Sequence, residues 1–287
     1  MDFQKELTLA KETVLISGKE IMRIYNSNEI IGFELKPGEE PVTLADKTSN
    51  KIICLKILEN FPDDGILTEE EFTPEEIDND RVYDTLLEKT KNWREYERVW
   101  FIDPLDGTKE FLRKSGEFGP QIGLMVNNTI VLGVHYYPFL RNLYYATKDF
   151  GAWKQEGTNS PFRLYVSSKR TISDLNLIIS RTPSSTSEKV KDLISRNKFA
   201  SVIEKGSFGL KACYIAEGRG DIYFVPPRKI SLWDSCSSQI ILEEAGGRIS
   251  YFNGDSINYR PNGHTKLANK LVLHNNSDLE EIIDLFK

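Results

Sequence analysis

The chain has 287 residues, a formal net charge of −6, 28% charged residues and a mean hydropathy of −0.40. These values are typical of a globular protein, and the net acidity argues against a surface for binding polymeric nucleic acid. No apolar run approaches the roughly 18 residues of a membrane span, and the N-terminus lacks the basic and then apolar layout of a signal peptide.

The cysteines and histidines exclude two further kinds of site. Cys54, Cys213 and Cys236 are odd in number and widely scattered, so they form no disulfide framework. Free cysteines are typical of a reducing compartment, and the sequence therefore predicts a cytoplasmic protein. Only three histidines are present, which argues against a histidine-rich zinc site.

Apolar spacing and turn residues divide the first half into helices and strands. In chain order they predict a helix over 3–25, a Gly/Pro break at 36–41, a helix from about 45, a strand over 66–68, a partly helical surface excursion or lid over 72–97, a strand over 99–102, a short helix over 108–114, an antiparallel meander over 121–153 and a turn over 155–161.

Strands and helices alternate in the second half, after about residue 173. The pattern predicts strands over 177–180, 201–204, 221–225, 248–252 and 270–274, and helices over 187–198, 207–217, 233–245 and 278–286. A soft boundary near residues 160–172 divides the chain. We therefore expect an N-terminal α+β half, residues 1–165, and a C-terminal α/β half, residues 166–287.

Carboxylates recur where a predicted strand ends or a predicted helix begins. Asp103 ends a strand, and Asp106 follows across a Pro-Leu turn, so both carboxylates and the Leu105 carbonyl can point to one side. Hard cations such as Mg²⁺ prefer oxygen ligands of this kind. The helix that starts at Gly107 and Thr108 would offer free N–H groups to a phosphate. The loop is thus a candidate for metal-assisted phosphoryl chemistry.

Each acidic element also has an ordinary structural interpretation. Asp-Pro and Asp-Gly steps are common turn formers, and Asp106 or Asp234 could simply cap a helix. The run Glu69-Glu70-Glu71 could be solvated surface. The combination of three such elements, rather than any one of them, favours a shared site.

The combination resembles the lithium-sensitive, magnesium-dependent phosphatase superfamily of inositol monophosphatase, fructose-1,6-bisphosphatase and the bisphosphate nucleotidases. The motifs that carry the resemblance are Pro41-Val42-Thr43-Leu44-Ala45-Asp46, Leu67-Thr68-Glu69-Glu70, Trp100-Phe101-Ile102-Asp103-Pro104-Leu105-Asp106-Gly107-Thr108, Leu232-Trp233-Asp234 and Glu243-Glu244-Ala245-Gly246-Gly247. They occur in the family's order and span nearly the whole chain. The resemblance implies a layered αβαβα sandwich with one active site between its halves.

The resemblance also implies a role for individual residues. Glu69, Asp103 and the Leu105 carbonyl would hold one Mg²⁺, and Asp103, Asp106 and Asp234 would hold a second. Asp46 and Thr108, with Glu69, would form the catalytic group that orients and deprotonates the attacking water. Two cations about 3.5–4 Å apart can bind the attacking and leaving oxygens together. The expected substrate contacts are Gly107, Thr108, Gly206, Ser207, Lys211 and Arg228.

Other motifs resemble one branch of the superfamily. Lys109-Glu110-Phe111 and Ser115-Gly116-Glu117-Phe118 are similar to the 3′(2′),5′-bisphosphate nucleotidases, which convert adenosine 3′,5′-bisphosphate to AMP. The stretch Gly206 to Cys213 resembles the substrate-side helix start of that branch. It departs from the branch at Phe208-Gly209, where small or hydroxyl residues are often seen. The loop Pro226-Pro227-Arg228 does not align cleanly with the branch pattern.

We therefore predict a Mg²⁺-dependent, lithium-sensitive phosphatase whose partner is a small phosphate ester of the nucleotide class. The alternative is an inositol-1-phosphatase or a broad sugar-phosphate phosphatase with the same metal site. A catalytically silent relative is disfavoured because every metal-position carboxylate is present. A substrate with two phosphates needs a second anion site, whose candidates are Lys211, Arg228, Lys229 and Arg181. The sequence leaves the oligomeric state open.

Overall fold

The structure is a computed structural model that describes residues 2–27, 32–36, 40–182 and 185–284. Within these residues the α-helices are α1 (Gln4–Tyr25), α2 (Leu44–Asn60), α3 (Asp80–Lys91), α4 (Thr108–Leu112), α5 (Glu188–Ser195), α6 (Phe208–Ala216), α7 (Leu232–Glu244) and α8 (Leu279–Asp284). None of the helices in the described ranges has both the length and the apolar character needed to cross a membrane.

The strands form a hairpin and two larger sheets. They are β1 (Phe33–Lys36), β2 (Glu40–Thr43), β3 (Gly65–Thr68), β4 (Arg98–Asp106), β5 (Gly119–Val126), β6 (Thr129–Tyr137), β7 (Asn142–Thr147), β8 (Gly151–Glu156), β9 (Phe162–Arg163), β10 (Asn176–Ser180), β11 (Ser201–Lys205), β12 (Ile222–Val225), β13 (Arg248–Tyr251) and β14 (Leu271–His274). One sheet has the order β3-β4-β5-β6-β7-β8-β9, and the other has the order β11-β10-β12-β14-β13.

The helices and sheets stack in five layers. Helices α1 and α2 pack together on one face of the seven-stranded sheet, and α7 packs on its other face, beside α6. These two inner helices also contact strands of the five-stranded sheet. The outer face of that sheet shares an apolar cluster with Val190 of α5 and Ile282 of α8. The predicted αβαβα sandwich is therefore confirmed.

Two sequence predictions for the first half need correction. The strand expected to stop at Asp103 continues to Asp106, because Asp106 still pairs with Gly119 of β5 after a register shift. The expected Gly/Pro break is flanked by a hairpin in which Phe33 pairs with Thr43, and residues 37–39 within it lie outside the described residues.

The charged segment over 72–97 is not a lid. Its helix α3 packs beside β3 with Leu86 fully buried, and none of its residues lines the cleft described below. The segment is partly helical, as predicted. A short strand, β9, follows the turn predicted over 155–161 and pairs with β8. The last predicted helix is described up to Asp284, and residues 285–287 lie outside the described part.

Candidate active site

Three aspartates converge between the two large sheets. Asp103 and Asp106 lie on either side of the register shift near the end of β4, and Asp234 lies in the first turn of α7. One carboxylate oxygen from each lies within 4.8 Å of the other two. Asp103 and Asp106 are buried and Asp234 is half-buried. The strand end and the helix start therefore bring together side chains that are far apart in sequence.

The electrostatics of this cluster are unfavourable for three free carboxylates. Burial, followed by the charges of Glu69, Asp234 and Asp106, raises the pKa of Asp103 well above its usual range. Burial and the charge of Glu69 also raise the pKa of Asp234 well above its usual range. Concentrated negative charge in a place of low dielectric constant is stabilised by a bound cation.

Glu69 and Leu105 lie beside the three aspartates. The Glu69 N–H donates to the Ile102 carbonyl at 3.2 Å, so the end of β3 is tied to β4. Both residues line a cleft of about 210 Å³, together with all three aspartates. The five predicted metal ligands thus line one cleft.

Asp46 and Thr108 form a hydrogen-bonded pair in which Thr108 lines the cleft and Asp46 is buried behind it. Asp46 belongs to the capping box of α2, and its Oδ2 accepts from the Thr43 N–H at 2.8 Å and the Thr43 hydroxyl at 2.6 Å. Its Oδ1 accepts from the Thr108 hydroxyl at 2.9 Å. Burial raises the pKa of Asp46 to about 6, although the hydrogen bonds from Thr43 oppose that rise.

The start of α6 donates two backbone N–H groups to the acidic cluster. The Phe208 N–H donates to Asp106 Oδ1 at 3.0 Å, and the Gly209 N–H donates to Asp106 Oδ2 at 2.8 Å. The predicted phosphate seat lies at α4, which has only five residues and therefore a weak helix dipole. Gly107 precedes α4 with a φ of 92°, a left-handed conformation that favours glycine.

The basic candidates for a second anion site differ in whether they line the cleft and whether their charge is already paired. Lys211 lines the cleft but is buried, and its Nζ donates to the carbonyls of Gly206 and Ser207. Burial lowers the pKa of Lys211 to about 8. Lys229 is exposed, lines the cleft and has no ion pair or hydrogen bond from its side chain to the described residues. Arg228 faces away, into a second cavity of about 400 Å³.

Arg181 does not offer a free charge to the cleft. Its guanidinium binds Glu110 Oε2 at 2.7 Å, Glu117 Oε2 at 3.0 Å and Glu204 Oε1 at 3.3 Å. Three carboxylates already satisfy this cation, so its role is to connect the end of β10 to α4, to the segment that follows α4 and to β11. Sequence reasoning treated Glu110 only as a marker of the branch and missed this network, because residues distant in sequence form it.

Glu117 is a second residue that the sequence reasoning missed. Its Oε2 accepts from the Gly206 N–H at 2.7 Å, and its Oε1 binds Lys205 Nζ at 3.0 Å. Glu117 therefore anchors the turn that leads into α6. Gly206 and Ser207, predicted as substrate contacts, both line the cleft next to this anchor.

Comparison of the sequence with known proteins identifies the family of this chain. The sequence matches the family model described as Inositol monophosphatase family over residues 2–286. It is 35% identical over 255 residues to the 3′(2′),5′-bisphosphate nucleotidase CysQ of Buchnera aphidicola subsp. Acyrthosiphon pisum, covering 88% of this chain and 87% of that protein. It is 30% identical over 248 residues to the CysQ of Salmonella typhimurium, covering 85% of this chain and 90% of that protein.

The fold is similar to that of the extragenic suppressor protein SuhB from Bartonella henselae. The TM-score is 0.79 at 21% sequence identity, and the match covers 99% of both chains. At this identity the structural likeness concerns the fold alone.

Proposed function

Since the chain belongs to the inositol monophosphatase family and is a phosphatase, we propose that it is a Mg²⁺-dependent 3′(2′),5′-bisphosphate nucleotidase. Its substrate is adenosine 3′,5′-bisphosphate, from which it releases the 3′-phosphate and leaves AMP. The names of the CysQ relatives support this substrate class. Inhibition by Li⁺ and a cytoplasmic location, supported by three unpaired cysteines, complete the proposal.

The observation that carries the proposal is the convergence of Asp103, Asp106 and Asp234 within 4.8 Å. All the donors are oxygens, which suits a hard divalent cation. Among the described residues, neither Asp103 nor Asp234 forms a salt bridge with a lysine or an arginine, and no basic residue contributes to the raised pKa of either one. The residues present therefore fit the cation.

Two sets of ligands share Asp103. Asp103, Asp106 and Asp234 would hold one cation, and Glu69, Asp103 and the Leu105 carbonyl would hold another. When bound, Mg²⁺ withdraws charge from the phosphate ester and lowers the pKa of water. The protein's contribution is to keep these oxygens in place through the end of β4 and the first turn of α7.

Thr108 orients the attacking water. Its hydroxyl has one proton and two possible acceptors, Asp46 Oδ1 at 2.9 Å and the Leu105 carbonyl at 3.3 Å. The shorter contact to a carboxylate is the stronger one, so the proton points to Asp46. The Thr108 oxygen then keeps a lone pair with which it accepts a hydrogen bond from water. Asp46 thus fixes where the Thr108 hydroxyl proton points and leaves the Thr108 oxygen as a hydrogen-bond acceptor for the water.

Lys229 is the residue that we assign to the second phosphate. Replacing Lys229 by Gln should raise KM for adenosine 3′,5′-bisphosphate about three- to tenfold, the range expected for one exposed charge-assisted hydrogen bond. KM for inositol 1-phosphate, which carries a single phosphate, should not change. The matched control is Arg228→Gln, because Arg228 is the adjacent basic residue but lines the other cavity. Steady-state kinetics of both variants on both substrates would detect the difference, and an equal rise in the two variants would refute this assignment.

A substrate panel tests the proposed function itself. Phosphate release from adenosine 3′,5′-bisphosphate, inositol 1-phosphate and fructose 1,6-bisphosphate should be measured with Mg²⁺, with EDTA, and with Mg²⁺ plus Li⁺. We expect the highest kcat/KM for the nucleotide, no turnover in EDTA, and inhibition by Li⁺. A higher kcat/KM for inositol 1-phosphate or the sugar bisphosphate would instead support the alternative phosphatase and reject the nucleotidase.

A further inference from the structure

The position of Asp106 depends on the start of α6. Both of its carboxylate oxygens accept a backbone N–H from this helix, from Phe208 at 3.0 Å and from Gly209 at 2.8 Å. Each oxygen keeps a second lone pair for a cation. A shift of the helix start by a few tenths of an ångström would therefore rotate or release a proposed metal ligand.

Three buried side chains support the back of this helix start, and we call them the shelf: Gln121, His135 and Tyr137. A Cβ atom built on Gly209 would lie 2.6 Å from Gln121 Nε2, 2.7 Å from His135 Cε1 and 2.8 Å from the Tyr137 hydroxyl. All three distances are shorter than a real Cβ contact. Only glycine lets α6 lie this close to the sheet.

The shelf is held in place by hydrogen bonds. His135 Nε2 lies 2.8 Å from the Ser237 hydroxyl, which in turn lies 3.2 Å from Gln121 Oε1. His135 Nδ1 lies 3.4 Å from the Tyr137 hydroxyl. All three shelf side chains are fully buried, so none can move aside into solvent. A side chain at position 209 must therefore push the helix rather than the shelf.

We propose that Gly209 is a positioning residue for the metal site: by letting α6 rest on the shelf, it fixes the two N–H groups that hold the Asp106 carboxylate. The inference rests on the proposed function, in which Asp106 holds a cation. It also gives a reason for the glycine in the Phe208-Gly209 pair, which departs from the small or hydroxyl residues of the nucleotidase branch.

The test measures metal affinity without substrate. Mn²⁺ binding to Gly209→Ala, followed by electron paramagnetic resonance, should be about 10- to 100-fold weaker than in the wild type, the usual effect of losing a partner that orients a ligand. The kcat with Mg²⁺ should fall by a similar factor, with little change in KM. The matched control is Gly18→Ala in α1, whose Cβ would lie 2.5 Å from the Tyr136 ring of β6, so it should lower Tm but keep Mn²⁺ affinity.

A second variant shortens the shelf side chain that lies nearest to the added Cβ. Gln121 Nε2 is the atom nearest to the added Cβ, and it makes no hydrogen bond to the described residues. Gly209→Ala with Gln121→Ala removes this nearest contact and vacates space into which the His135 ring and the Tyr137 hydroxyl can shift, so it should recover part of the lost Mn²⁺ affinity. If the single variant does not fold, this double variant carries the test. A double variant that is unfolded, or that binds Mn²⁺ as weakly as Gly209→Ala, overturns the proposal.

These measurements distinguish a failure of the proposed function from a failure of the role of Gly209. A wild type that binds no Mn²⁺ overturns both the metal site and the role of Gly209. A wild type that binds Mn²⁺ but releases no phosphate from adenosine 3′,5′-bisphosphate overturns the substrate and leaves the role of Gly209 supported or refuted by the variants. Equal Mn²⁺ affinity in the wild type and Gly209→Ala overturns the role of Gly209 alone.

Discussion

Asp234→Asn should lower kcat at saturating Mg²⁺ by about 1,000-fold, or about 4 kcal/mol of transition-state stabilisation. The amide keeps an oxygen that can accept from the Ser231 N–H, at 2.5 Å in the native capping box, so α7 should still form. What is lost is the negative charge that the proposed cation needs. Steady-state kinetics and circular dichroism would measure the two effects separately.

A matched carboxylate outside the cleft provides the control. Asp64 is buried and accepts from Arg98 Nε at 2.9 Å and Trp100 Nε1 at 2.8 Å, so Asp64→Asn should lower the free energy of unfolding while kcat stays the same. Near-normal kcat for Asp234→Asn in excess Mg²⁺ would show that the assignment of Asp234 as a metal ligand is wrong.

The second large effect concerns stability without metal. Because burial and neighbouring charges disfavour the ionised form of Asp103, the metal-free protein carries repulsion that Asp103→Asn removes. In EDTA we expect this variant to melt above the wild type. The amide oxygen of the substituted side chain can still accept from the Leu105 N–H, which donates to Asp103 Oδ1 at 3.0 Å in the native protein.

Addition of Mg²⁺ should reverse that order. At a concentration about 100 times Kd, binding contributes about 2.7 kcal/mol, or about 4–5 °C in Tm for a chain of this size. The wild type should gain this stabilisation, and Asp103→Asn should gain almost none. The control Asp255→Asn changes an exposed carboxylate and should behave like the wild type. If Asp103→Asn gained as much from Mg²⁺ as the wild type, Asp103 would not be a ligand.

The order of elements could be predicted because periodicity and turn residues are local signals. The helix α1, the meander over β5–β8 and the alternating second half all follow from such patterns. The exact end of β4 could not be predicted, since the pairing of Asp106 with Gly119 depends on a register shift between two strands. A proline and a glycine near Asp103 favoured an earlier stop.

The candidate site also has features that could be predicted from the sequence and features that could not. The spacing of Asp103 and Asp106 pointed to metal ligands, the positions of Glu69 and Asp234 at element ends suggested a shared site, and the resemblance assigned these two residues their roles as ligands. The hydrogen bonds from Phe208 and Gly209 to Asp106 span more than a hundred residues, so no local pattern could reveal them. For the same reason, no sequence pattern indicated that three carboxylates occupy Arg181, or that Arg228 and Lys229 face different cavities.

Anomalous diffraction from crystals soaked in Mn²⁺ tests the central claim most directly, because it locates the cation and its ligands without assuming a substrate. We predict one peak bonded to Asp103, Asp106 and Asp234, and a second bonded to Glu69, Asp103 and the Leu105 carbonyl. Carboxylates that point away from one another, with no peak in the cleft at saturating Mn²⁺, would contradict the account.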